Sequence, residues 1–170
     1  AGLTSAQLRA LSDNAIAALE TADLNVLSAG QVAALTAGQV DALSTDQLSR
    51  WGTTQLAALS STQLRAIDDA DLTTLTSAQL TALTATQVAG LAASQVAALS
   101  TDDLSSLLAA QVTALSTAAI AGLGTAQVVA LGSTQVQALT AAQLRALSTD
   151  HMVALESTDI NALSPTQFGS

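Results

Sequence analysis

Asp68, Asp69 and Asp71 form the densest acidic group in the chain, and together they could offer several oxygens to Ca²⁺. The run lacks the glycine and closing glutamate of an EF-hand loop and has no Gly-Asp nonapeptide pattern. The other reading is that these acids sit at helix starts, where negative charge is favoured. His151 stands beside Met152, a pair of types able to ligate haem iron. Adjacent residues point to different faces of a helix, whereas axial ligands approach a haem from opposite sides. No cofactor is expected from them. Arg50, Trp51 and Leu108 are the remaining irregularities. The first two replace a small and an aliphatic residue in an otherwise regular pattern, and Leu108 puts an apolar side chain where its counterparts are polar. These three are the candidates for contact with a protein partner; for Trp51 the alternative is simple accommodation in the core.

No constellation points to catalysis. There is a single histidine, with no cysteine, tyrosine or lysine, no phosphate-cradling glycine loop and no nucleophile elbow. The formal charge of −9 opposes binding to phosphate backbones or anionic membranes, which need clustered cations. No uninterrupted apolar run reaches membrane-spanning length, so membrane insertion is not expected.

The residues that position everything else form an octad. Leucine recurs at every eighth residue from Leu3 to Leu163, interrupted only by Trp51 and Ile67, and the unit reads Leu, Ser/Thr, x, x, Gln, Val/Leu/Ile, x, Ala. The sixth position is apolar in all 21 units from Leu8 to Phe168, while the third, fourth and seventh vary among small and polar types. Two positions are therefore read as packed and three as facing solvent. Ser/Thr-x-x-Gln is a capping box: Thr36 with Gln39 and Ser44 with Gln47 can each satisfy two donors at a helix start. The leucine before the cap and the apolar residue five positions later stand in the hydrophobic-staple relation, so Leu35 is expected over Val40.

A single continuous helix fails on angle, because eight residues at roughly 100° overshoot two turns by about 80° and would spiral the leucines around the rod. The pattern predicts an all-α solenoid or superhelix of very short helices, one per octad, each running from the third position into the next leucine. A β-solenoid is the alternative, weakened by the dominance of Ala, Leu and Gln and by the missing turn chemistry at strand corners. Helices of two turns do not persist alone and must be held by neighbours. Residues 1–170 read as one elongated module of 21 octads, an excerpt of a longer tract because the octad is in register at both ends. The hand of the superhelix and the number of octads per turn are not legible.

The octads Leu35 to Leu43 and Leu83 to Leu91 resemble the Ala/Leu/Thr-rich tandem repeats of large bacterial surface or secreted proteins of adhesin-like type. The resemblance covers essentially the whole chain and implies an extracellular or cell-surface repeat tract. The expected function is a non-catalytic spacer or stalk. An extended protein-binding or adhesion surface is the alternative, and ice binding a third reading, prompted by regular Ala and Thr. Solenoid ends normally need polar caps, so end-to-end self-association is also expected.

Overall fold

The computed structural model describes residues 2–155, 157–161 and 163–168. Among these the secondary structure is a train of helices of four to six residues, with no strand. The first five are α1 (Ser5–Ala10), α2 (Asp13–Ala17), α3 (Thr21–Asn25), α4 (Ala29–Ala34) and α5 (Ala37–Asp41); α6 (Thr45–Ser49), α7 (Thr53–Ala57), α8 (Ser61–Ala66) and α9 (Asp69–Leu72) follow, and the pattern runs on to Pro165–Phe168. The all-α reading holds and the strand alternative falls.

Each helix starts where the sequence places it. Thr36 Oγ1 accepts from the Gln39 N–H at 3.1 Å while Gln39 Oε1 accepts from the Thr36 N–H at 2.8 Å. Each helix ends sooner than expected. The leucine does not join it: Leu35 has φ −60° and ψ 149°, and the Thr36 cap has φ −78° and ψ 162°. Two consecutive extended residues therefore make the corner, and they do so without a positive φ or a cis peptide bond among the described residues. That is why the corners need no Asn, Gly or Pro.

The helices pack three units apart: α1 on α4, α2 on α5, α4 on α7, α5 on α8, and so along the chain. Three octads, or 24 residues, thus complete one turn, giving a three-sided solenoid in which each face is a stack of helices. The sixth residues and the leucines fill the interior as one continuous aliphatic column, from Leu8 and Ile16 through Val96 and Leu99 to Leu155. The two kinds of core residue are covered from opposite sides. Among the leucines that open the octads, Leu11, Leu19 and Leu27 are only half-buried, whereas Leu35 and its successors are buried. Among the sixth residues the first, Leu8, Ile16 and Leu24, are fully buried and the late ones, Met152 and Ile160, are half-buried. Leucine therefore packs onto the preceding turn and the sixth residue onto the following one, which gives the solenoid a polarity.

Small residues at the eighth position let the faces close. Gly90 is the extreme case, since a Cβ there would lie 2.5 Å from Ser61 Cβ on the helix three units back.

The division between core and cap predicts unequal costs. Leu43→Ala should destabilise the chain by about 2 to 5 kcal/mol through lost transfer energy and a residual cavity. Thr36→Ala removes one capping bond and should cost about 1 kcal/mol. Urea unfolding followed by the fluorescence of the single tryptophan measures both, and equal effects would mean the roles are misassigned.

Candidate functional site

The side chains with the most demanding geometry are the fifth-position glutamines, most of which are buried. Their Oε1 completes the capping box at the start of their own helix. Their Nε2 does something the sequence did not reveal: it donates across the turn to the carbonyls that end a helix four units earlier. Gln39 Nε2 donates to Leu8 O at 2.8 Å and Leu11 O at 2.8 Å, the last acceptors of α1 and its corner. Gln87 does the same to Leu56 O and Leu59 O, both at 2.8 Å, and Gln143 to Val112 O at 2.9 Å and Leu115 O at 2.8 Å. The bond to the corner carbonyl 28 residues back recurs at 2.6 to 3.0 Å from Gln31 to Gln167. One carboxamide thus caps the N-terminus of one helix and the C-terminus of another. Both helix ends would otherwise carry unpaired backbone groups close to the core.

The hydroxyl is the dispensable half of the box. Where the cap is Gly52, Ala92, Leu108, Gly124 or Gly132, the glutamine still accepts from the cap N–H at 2.7 to 3.0 Å. Where the glutamine is missing, as at Ala15 and Ala119, Ser12 and Ser116 keep one capping bond but the cross-turn bond is lost.

The candidate calcium ligands do not converge. Asp68 Oδ1 accepts from the Asp71 N–H at 2.8 Å as an N-cap, Asp69 Oδ1 accepts from Ser94 Oγ at 3.4 Å, and Asp71 Oδ1 accepts from Thr45 Oγ1. Among the described residues no three acidic or histidine side chains form a group able to hold a metal ion. Asp71 and Asp159 instead share a device of their own, for each stands in the glutamine position and accepts from a hydroxyl 26 residues earlier, Thr45 and Ser133. The stack of α3, α6 and α9 carries Glu20, Asp23, Asp46, Asp68, Asp69 and Asp71, so nearly half of the acids lie on one stretch of one face.

His151 is a glutamine substitute. It is buried, and its Nδ1 accepts from the Ser148 N–H at 3.2 Å, but the ring makes no bond to the Leu123 carbonyl that a glutamine would reach. Met152 is an ordinary core residue at the half-covered end of the column.

The three candidates for a partner contact are separated by burial. Trp51 is 1% exposed and lies in the core, its Nε1 without a hydrogen-bond partner while its carbonyl accepts from Gln79 Nε2. Its ring offers no surface. Arg50 is exposed and pairs with Asp46 at 3.0 Å, one helical turn earlier, a contact of small energetic weight. Leu108 is 56% exposed and borders a shallow concavity of about 380 Å³ with Leu107, Gly132 and Thr134. Arg50 and Leu108 belong to different faces, α6 and the helix Ala109–Ala114, and do not form one patch. One regular surface feature is invisible in the octad, because it has the period of the turn. Thr53, Ser77, Thr101, Thr125 and Thr149 occupy the same position on one face in five consecutive turns, all exposed.

A family model described as the ALTTAQ repeat matches residues 16–50 and 107–141. The match supports the tandem repeat over those two stretches. No curated protein gave a significant match to the chain.

Three outcomes are expected. Gln95→Ala should cost about 2 to 4 kcal/mol, more than any cap hydroxyl, because it strands the Ile67 carbonyl and the Ala92 N–H and leaves the Leu64 carbonyl with only its backbone bond from Ile67. His151→Gln should stabilise by about 1 kcal/mol by restoring the cross-turn bond. Both are read from urea unfolding midpoints. Millimolar calcium should leave the melting temperature unchanged, and an upward shift would show that Asp68, Asp69 and Asp71 rearrange around the ion.

Proposed function

We propose that the chain is a non-catalytic structural module, a spacer or stalk in a bacterial surface or secreted protein. The observation that carries this reading is that, among the described residues, every helix pair in substantial contact lies three units apart. Such an array holds its two ends apart, and its length grows with repeat number and not with a core radius. The exterior supports the same reading. It is made mostly of Ala, Ser and Thr, its one tryptophan is buried, and its four exposed arginines, Arg9, Arg50, Arg65 and Arg145, sit singly on different helices and do not form the anchor cluster on which protein-binding surfaces concentrate their energy. The likeness of the octads to surface-protein repeats agrees with an extracellular setting.

A second reading is an extended recognition surface, ice included, and the observation that favours it is the exposed hydroxyl column from Thr53 to Thr149. Small-angle scattering separates shape from globule. A spacer gives a distance distribution skewed toward a long maximum, and a symmetric compact profile would overturn it. Thermal hysteresis that is lost on Thr101→Val would move the assignment to the hydroxyl face.

A further inference from the structure

The longest uncharged run of the chain extends from Leu104 to Leu144 and wraps all three faces of the solenoid. It lies on interior turns, with helices packed on either side of it. Two neighbouring departures from the cap hydroxyl fall within it. Leu108 puts an isobutyl group where most counterparts carry a hydroxyl, and Gly132 puts no side chain there. The two positions are 24 residues apart, so they occupy the same corner in consecutive turns, at the starts of the stacked helices Ala109–Ala114 and Ser133–Ala138.

Neither departure serves the helix it begins. Both caps have ordinary extended angles, φ −69° and ψ 149° at Leu108 and φ −73° and ψ 161° at Gly132, and a hydroxyl at either would add a second capping bond to the one the glutamine already makes. Leu108 does not fold down onto its own turn. It stays more than half exposed, and the shallow concavity beside it is bordered by Leu107, Ala109, Gly132 and Thr134. A protruding apolar side chain and a notch thus stand one turn apart on a single edge.

We propose that this edge pairs with the same edge of a second copy of the chain, running antiparallel, with Leu108 of each copy seated in the concavity over Gly132 of the other. A knob and a notch on one edge match each other under a two-fold axis, which is the condition for an isologous contact that closes at two copies. Charge selects the same occupant and the same direction. A chain of formal charge −9 repels its own copies, and the repulsion is least where the surface is uncharged. With the axis midway between Leu108 and Gly132, Asp102 and Asp103 come level with Ala138 and Gln137 of the second copy, Asp150 with Gly90, and Arg145 with Gln95. A parallel pairing in register would set each acid beside its own counterpart and knob against knob. Lateral pairing adds a contact that a spacer does not need, so its failure would leave the spacer reading standing.

The contact is narrow and therefore weak, so sedimentation equilibrium of the 170-residue chain is carried to about 0.5 mM. It should show a reversible monomer–dimer equilibrium that tightens with added salt, because salt screens the acids outside the contact. Leu108→Ser should weaken pairing at least about tenfold. Its melting temperature should not fall, because the change restores a hydroxyl cap, so lost pairing there is not lost folding. Gly132→Leu fills the notch and should weaken pairing equally; a Cβ at that position meets only Gln135 Oε1, at 4.0 Å, so the chain itself accommodates the side chain. The exchange variant, Leu108→Gly with Gly132→Leu, moves the knob to the other turn and should restore pairing to within about threefold of the parent. A chain that stays monomeric, pairing undiminished by Leu108→Ser, pairing that loosens with salt, or an exchange variant that fails to recover would each overturn the proposal.

Discussion

Helix ends dominate this fold. A chain that starts a new helix every eight residues exposes orphan amide and carbonyl groups at every corner, and the corners lie against an aliphatic core where such groups are costly. The glutamine carboxamide resolves the difficulty because it is both acceptor and donor on an arm of suitable length. Its oxygen faces the cap of its own helix and its nitrogen faces carbonyls 28 and 31 residues back. A carboxylate cannot do both, which explains why Asp71 and Asp159 turn to neighbouring hydroxyls instead. An imidazole manages the first task at His151 and not the second.

Packing follows from that constraint. The cross-turn bond fixes which helices lie over one another, so that the sixth residue and the leucine meet their counterparts in adjacent turns. Leu64, buried completely, belongs to one turn and its carbonyl is held by Gln95 of another. Short helices that would melt alone are held at both ends and along one apolar edge. Stability in such an array is a sum of neighbouring contacts, so a local defect such as Trp51 and its unpartnered Nε1 is tolerated without changing the architecture.

The octad made much of this legible. The capping box located helix starts, and the spacing of leucine and sixth residue identified the core. Three things were not legible. The termination before the leucine, one residue early at Leu35 and two at Leu43, depends on the corner geometry that stacking imposes. The three-octad turn left no sequence period because all units are built alike, and only the hydroxyls from Thr53 to Thr149 trace it faintly. The second role of glutamine was hidden because its partners are backbone carbonyls, which carry no residue signature. Trp51 was open to two readings, a contact or simple accommodation in the core, and its burial where a leucine would have been decides for the second.

The three-octad turn bears on how such a tract can change length by duplication. Copying one unit preserves every cap and every glutamine ladder, because those refer only to relative position along the chain. It also rotates everything downstream by one face, scattering the acidic stretch on α3, α6 and α9 or breaking the hydroxyl column. Duplication in blocks of 24 residues preserves both architecture and surface. Single-unit drift is therefore nearly silent for folding and visible only to whatever reads a face, so the periodicity of surface columns across natural length variants records whether any face has been under selection.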